Sequence, residues 1–441
     1  MLIEALQSLV LSGRRTLPRV KKARWANRLA SWCQAAVEVH MLSSSDKRAA
    51  RYAWVGWASL FIVTSAIIIA GSNRTVVPSY RLAALNWLAG KGLYDGTGVG
   101  GFVYLPQAAI LFVPFTMIPQ ILGEVLWRLI TIGTLAVGLR SFAGLAGEKS
   151  GTELFPLMTL VTIPLAWDCA RNGQATLIIT GLMLLSVVDI SRRRWWRATL
   201  WLSLGVAVKP LMIVLVLLVL AIDRPMTWRL LLGMGAVALA PFVIQNPAYV
   251  LQQYSACLHN TTMAAHVSVS AHGWTSPFTA LRLVGLDVPE HVQTAIRMVA
   301  ALATLALCIV ARRWHDTDRS AIFMFSLAVV YLTMFSPRTE NNTYAMLGPA
   351  IAVFLALAFL VEKRYSAGVL LSCIAVILVG GRMFEHLLAP HTEGIWLSPL
   401  MATCFSVYLL AQLLANPTKR INGENISTAG HHEAHAGTGG R

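Results

Sequence analysis

The sequence predicts an all-α, polytopic integral membrane protein with about 11–12 transmembrane or re-entrant helices and two larger external loops. Three observations carry this expectation. Of 441 residues, 56% are hydrophobic and only 13% are charged, about half the charged share of a soluble domain. The mean hydropathy is +0.61. Apolar runs, most of them near the length of a bilayer-crossing helix, recur from residue 52 to residue 414. A soluble enzyme, a disordered chain and a secreted disulfide scaffold are excluded, because each needs charges or paired cysteines that this chain lacks. The 36 Lys and Arg outnumber the 20 Asp and Glu, for a net charge of +16. In a soluble protein that excess would suggest nucleic acid. Here the basic residues sit at the ends of apolar runs, where they orient helices by the positive-inside rule, and no nucleic-acid partner is expected.

Residues 1–50 form a cytoplasmic basic segment carrying Arg14, Arg15, Arg19, Lys21, Lys22, Arg24, Arg28, Lys47 and Arg48. Trp25, Leu29, Trp32 and Val37 recur among them at near-helical spacing. The segment reads either as an amphipathic helix on an anionic leaflet or as a solvated tail. It does not read as a cleavable signal peptide, because a basic stretch follows its apolar start. A membrane domain over 51–415 comes next, and 416–441, with His431, His432, Glu433, His435 and several Gly, reads as a disordered tail.

Within the membrane domain the apolar runs fall at 52–71, 104–119, 121–145, 154–170, 175–190, 198–222, 228–244, 295–311, 320–336, 344–361, 365–381 and 395–414. Arg51 and the cluster Arg192, Arg193, Arg194 and Arg197 both belong inside, yet five runs lie between them. An even number must cross, so one does not. The run 104–119 is short and carries Pro106, Pro114 and Pro119, so it is read as re-entrant or interfacial. Arg197, Arg224 and Arg229 likewise belong inside, so 198–222 must enter and return, turning at Lys209-Pro210. Arg312, Arg313, Lys363, Arg364, Lys419 and Arg420 then fall inside without adjustment, which leaves 72–119 and 245–294 as the external loops. Cys33, Cys169, Cys257, Cys308, Cys373 and Cys404 show no CxxC or Cys/His spacing and read as unpaired packing residues.

This topology gathers intrusive polar residues at the outer side, among them Arg74, Tyr80, Arg81, Tyr94, Asp95, Tyr104, Asp168, Arg171, Asn172, Gln174, Lys209, Arg338, Glu340, Asn342, Tyr344, Arg382, Glu385 and His386. Any one charge is explained by snorkelling from a helix end. Convergence from five separate turns points instead to a shared polar cavity. Lys209, Arg338 and Arg171 can clamp a phosphate or diphosphate, Arg by a bidentate fork and Lys as a point charge. Asp95, Asp168, Glu340 or Glu385 can act as general base on an acceptor hydroxyl. Tyr94 and Tyr104 suit either sugar stacking or anchoring at headgroup level. No Rossmann glycine motif, HExxH or nucleophile elbow occurs, and no cofactor or metal is expected.

Five motifs then carry a family resemblance. The segment Tyr80 to Tyr94, with its Ala83-Ala84 pair, Gly90, Gly92 and Leu93, resembles the first external loop of the DUF2029 family, glycosyltransferase family 87. Phe102-Val-Tyr104-Leu-Pro106 is similar to that family's Tyr-Pro-Pro stretch, and Arg171-Asn-Gly-Gln174 to its Asn-x-Gly-Gln turn. Gly205 through Lys209-Pro210 resembles its Gly…Lys-Pro, and Phe335-Ser-Pro-Arg338 its Ser-Pro-His segment. The five lie in order across about residues 50–415.

The resemblance implies a GT-C-like fold and transfer of a sugar, typically mannose, from a polyprenyl-phosphate donor to a glycan or glycolipid acceptor on the non-cytoplasmic face of the inner membrane. Substrate contacts are expected from the outer polar set at Tyr80, Tyr94, Tyr104, Asn172, Gln174, Asn342 and Tyr344. Two departures stand out. The family's Asp before the loop-one tyrosines is missing from Asn73 to Ser79, and Arg338 replaces the histidine. The base is then expected at Glu340 or Asp168, each with an Arg two or three residues away, ahead of Asp95. The alternatives are a transporter or flippase of lipid-linked saccharide, and a catalytically silent relative.

Overall fold

The computed structural model describes residues 48–94, 101–147, 152–266, 275–337, 339–388 and 396–415, without the side chains of 262–266, Arg382 and His386. The expectations for residues 1–47, Asp95, Arg338 and the tail therefore lie outside the described residues. Residues 1–52 and 53–441 are separate compact units, and all that follows concerns the second apart from the start of its first helix. The described residues are helical with no strand. Helix α1 is Arg48–Ile69, α2 Val77–Leu88, α3 Pro106–Thr116, α4 Gln120–Gly147, α5 Phe155–Asn172, α6 Thr176–Ser191, α7 Trp195–Val208 and α8 Ile213–Ile222. Then come α9 Thr227–Ile244, α10 Pro247–His266, α11 Pro277–Leu283, α12 Glu290–Trp314, α13 Thr317–Phe335, α14 Leu347–Ala356, α15 Tyr365–Val379, α16 Gly381–Leu388 and α17 Leu397–Ala415.

Among the described residues, seven helices are long and apolar enough to cross a membrane. They are α1, α4, α9 with its short 3-10 lead, α12, α13, the segment Asn341–Val361 that contains α14, and α17. Large apolar side chains stay exposed on the outer helices, for example Leu231, Leu239, Val243, Val299 and Leu302. In water such a face would be a liability, whereas against lipid tails it is the ordinary surface. The chain is an all-α, multi-pass membrane protein.

A set of Arg–carboxylate pairs gathers at one end of the bundle. Asp189 pairs with Arg194 and Arg197, Asp223 with Arg312, and Glu362 with Arg319 and Arg364. Ser191 bonds Asp318, Arg364 bonds Gln412, and His315 bonds the Leu413 carbonyl at 3.1 Å. These contacts tie the ends of α6, α8, α12 and α17 to the starts of α7 and α13. Asp316 caps α13 by accepting from the Arg319 N–H at 2.9 Å.

The same logic settles the broken run around Lys209. Trp196, at the start of α7, packs its ring on Trp228, at the start of α9, at 5.2 Å, and Arg229 lies over both rings. The chain between them must leave the basic end and come back. Pro210 stops α7, Lys209 adopts extended backbone, and α8 returns over 10 residues, about 15 Å. The second irregular run resolves as α3, whose 11 residues reach only about 16 Å. Arg81 from α2 holds its end by donating to the carbonyls of Thr116 and Ile118, both at 3.0 Å. Both segments read as external loops contain helices. Residues 72–119 hold α2 and α3, and 245–294 hold α10 and α11. The 20-residue α10 mixes Gln252, Gln253, His259 and Asn260 with its apolar positions, so it lacks the signature of a membrane run. It props loop one instead: Tyr249 donates to the Lys91 carbonyl at 2.7 Å and Gln253 accepts from the Leu93 N–H at 2.9 Å, while Gln245, just before the helix, donates to the Trp87 carbonyl at 2.8 Å.

At the end opposite the basic clusters, α5 closes on Gly173 in the left-handed conformation (φ 64°), with its N–H on Ala170 and that of Gln174 on Cys169. Two neighbours from α4 hold this turn. The Trp127 indole donates to the Gly173 carbonyl at 2.8 Å. Arg128, wholly buried, donates to the Arg171 carbonyl at 2.7 Å and to Thr75 Oγ1 at 3.3 Å, and pairs with Glu124 at 3.4 Å. Glu124 in turn accepts from Thr75 at 3.0 Å. Deeper in the bundle, α4 and α6 touch through glycines. A Cβ on Gly181 would lie 2.5 Å from the Thr134 carbonyl oxygen, so only glycine permits this crossing.

Two outcomes are expected in detergent-solubilised protein. Gly181→Ala lowers the thermal unfolding midpoint through overpacking of about 1–3 kcal/mol, and an unchanged midpoint would contradict the contact. Arg128→Met leaves Glu124 buried and unpaired and costs about 3–5 kcal/mol, much of which the double variant with Glu124→Leu restores. Equal losses in the single and double variants would assign the effect to the guanidinium's bonds with Arg171 and Thr75 rather than to the ion pair.

Candidate active site

The turn after α5, the start of α6, the Lys209 break and the segment before α14 meet at the end opposite the basic clusters. A chain of polar groups runs through them. The Tyr80 and Tyr104 hydroxyls are 3.2 Å apart. The Lys209 ammonium lies 5.8 Å from the centre of the Tyr104 ring and donates to Thr176 Oγ1 at 3.2 Å. Thr176 donates to Gln174 Oε1 at 3.4 Å, and the Gln174 amide donates to a Glu340 carboxylate oxygen at 3.2 Å. Tyr80, Tyr104, Gln174, Lys209 and Glu340 are thus brought together from five separate stretches of sequence.

Each member is aimed by local structure. Extended backbone at Lys209, between α7 and the turn Pro210–Met212, puts its side chain at the helix break. Thr176 opens α6, whose first N–H groups have no helical partner and favour negative charge nearby. Gln174 follows the Gly173 cap directly. Burial, and after it Tyr104, pushes the Tyr80 phenol well above its ordinary value, so it stays a neutral hydroxyl donor. Beneath the tyrosines lies a small cavity of about 30 Å³ lined by Tyr80, Tyr104, Trp127, Ala175 and Val208 among others.

Other candidates stand elsewhere. Asp168 is exposed and lines a cavity of about 280 Å³ together with Asn341, Asn342, Tyr344 and Ser398. The Cys169 thiol donates to the carbonyl of Asn342, one of the residues lining this cavity, at 3.0 Å. Tyr94 spends its hydroxyl on the Tyr104 carbonyl at 2.6 Å and acts as a buttress. Tyr344 spends its own on the Thr275 carbonyl at 3.0 Å. The Asn172 carbonyl accepts from the Val76 N–H at 3.0 Å, while its side-chain oxygen is buried without a hydrogen-bond partner among the described residues, as is Arg171 Nε. Glu385 accepts from the Leu397 N–H at 2.7 Å. Asp95 and Arg338 lie outside the described residues, as do the side chains of Arg382 and His386.

Sequence reasoning missed Thr176, whose hydroxyl links the cation to the amide, and the Trp127–Arg128 pair that holds the turn. It also missed an apolar groove of about 460 Å³ between α3, α7 and α9, lined by Leu111, Leu200, Leu204, Ala207 and Ala236 among others. The groove reaches Ala207, two residues from Lys209. No three His, Cys, Asp or Glu side chains gather among the described residues.

A cation and a carboxylate joined by a relay, beside an apolar groove on a membrane-spanning bundle, suit group transfer from a lipid-linked anion. Comparison with known proteins agrees. Residues 102–337 match glycosyltransferase family 87. A polyprenol-phosphate-mannose-dependent alpha-(1-2)-phosphatidylinositol mannoside mannosyltransferase of Mycobacterium tuberculosis is 25% identical over 376 residues, covering 77% of this chain and 84% of its own. The chain is a membrane glycosyltransferase and belongs to glycosyltransferase family 87.

Proposed function

We propose that this enzyme transfers mannose from a polyprenyl-phosphate donor to a glycan or glycolipid acceptor on the non-cytoplasmic face of the cell membrane. The observation that carries the proposal is the relay from Lys209 through Thr176 and Gln174 to Glu340. The polyprenol-phosphate-mannose dependence of the mycobacterial relative supports the donor, and its phosphatidylinositol mannoside acceptor supports a glycolipid. The Arg clusters at the opposite end support the orientation, because basic ends stay in the cytoplasm.

In this reading the donor phosphate rests against Lys209 at the start of α6, with Arg171 and Arg338 as further cations. The lipid tail follows the groove between α3, α7 and α9. The acceptor hydroxyl attacks the anomeric carbon, the bond from that carbon to the phosphate oxygen breaks, and the polyprenyl phosphate departs with the electron pair. Glu340 takes the hydroxyl proton. Lys209 stabilises the charge that builds on the leaving phosphate, so a cation matters more here than a general acid. Tyr80 and Tyr104 present hydroxyl groups to the sugar. Asp95 and Asp168 are the other carboxylates that can serve as base, and Glu340 is preferred because the Gln174 amide ties it to the Lys209 relay, whereas Asp168 lines the neighbouring cavity.

Purified protein given radiolabelled polyprenyl-phosphate-mannose and a membrane acceptor extract is expected to form a labelled glycolipid. Glu340→Gln and Lys209→Ala each reduce the rate by about a hundredfold. Full labelling by both variants would discard the site, and no labelling by the wild type would discard the donor. Ala236→Trp, which fills the groove away from the relay, raises KM for a long-chain donor and leaves that for a short-chain analogue unchanged. Equal effects on both chain lengths would remove the groove from donor binding.

A further inference from the structure

We infer that the polar cavity beside Asp168, between α5, the Asn341–Met346 turn and the α15–α16 junction, is the subsite for the acceptor's sugar ring and takes an uncharged, polyhydroxylated ring. The inference rests on the sugar-transfer reading above and assigns the second substrate of that reaction a place. At about 280 Å³ the cavity is near the lower bound of ligand pockets, roughly 300 Å³.

Its lining is divided in the way a hexose is. Leu165 and Leu378 offer hydrocarbon to the C–H face of a ring, and Asp168, Asn342 and Ser398 offer polar groups to its hydroxyl rim. The Thr275 hydroxyl donates to Asn341 Oδ1 at 3.0 Å and sets the orientation of that amide. Among the described lining side chains, Asp168 is the one that carries charge. A carboxylate repels phosphate and accepts hydrogen bonds from sugar hydroxyls, so Asp168 favours a neutral acceptor over the donor's anion. The donor side, by contrast, holds Lys209. Its lining residue Asn341 directly follows the proposed base Glu340, and consecutive Cα atoms are about 3.8 Å apart.

Gly381 supplies a way to fill the space. A Cβ there would meet Ser398 Oγ at 3.6 Å, an ordinary contact, so a longer side chain grows into the cavity without a clash at its root. Neighbouring Gly380 is different, since its Cβ would strike the Phe384 ring at 2.5 Å.

The test is saturation-transfer NMR on the full-length protein in detergent, with methyl α-D-mannopyranoside as the probe. Wild-type protein is expected to saturate the ring protons. Gly381→Leu abolishes the signal while keeping the wild-type circular dichroism, and Asp168→Asn weakens binding about tenfold through loss of a charged hydrogen-bond acceptor. In the transfer assay the same glycoside inhibits competitively against the acceptor extract and not against the donor. Mannose 6-phosphate, which brings a dianion towards Asp168, does not displace the probe. Equal saturation in the wild type and both variants, or inhibition competitive with the donor, overturns the subsite. If labelled transfer proceeds while both variants bind the probe normally, the subsite falls and the enzyme reading stands. If no transfer occurs yet the probe binds only when the cavity is open, the sugar site stands and the transfer reading falls.

Discussion

A helix end buried among other elements leaves carbonyls that water does not reach and protein groups must satisfy, and the whole candidate site is arranged around one such end. The end of α5 is met by its own Schellman turn at Gly173, by the Trp127 indole and by the buried Arg128 guanidinium. A Cβ on Gly173 would press on Val77 at 2.6 Å, so the close approach of loop one also depends on glycine there. Once the turn is held, Gln174 and Thr176 have fixed positions, and Lys209 and Glu340 are aligned through them. The site is precise because a backbone problem had to be solved beside it.

Charge follows the same economy. Anionic side chains at the basic end are paired with Arg, as at Asp189, Asp223 and Glu362. At the opposite end Glu124 is neutralised by Arg128, whereas Glu340 and Lys209 are linked through neutral groups. The first arrangement holds helices together, and the second leaves both charges able to respond to a ligand.

Much of this was legible in the sequence because the bilayer makes charge position informative. The Arg192–Arg197 cluster, Arg224 and Arg312 mark one end, and parity between them required both the Lys209-Pro210 reversal and the short α3. Lys209, Gln174 and Glu340 were singled out for the same reason, as polar residues at turns away from the basic ends, and the structure brings them together. What stayed hidden depends on backbone partners. Tyr94 and Tyr344 look like sugar-facing aromatics until their hydroxyls are seen on the carbonyls of Tyr104 and Thr275. Arg128 sits within an apolar run, and its partner is the carbonyl of a residue 43 positions away. The helix α10 escaped because its polar residues break the apolar pattern that marks membrane spans, although its spacing suits a helix packed on loop one.

The contact between Cys169 and the Asn342 carbonyl has a consequence of its own. It pins the last turn of α5 to the backbone just after Glu340, 173 positions along the chain. Gln174, from the same turn, reaches the Glu340 carboxylate itself. One sulfhydryl thus helps to set the spacing between the proposed base and the cavity that Asn342 lines.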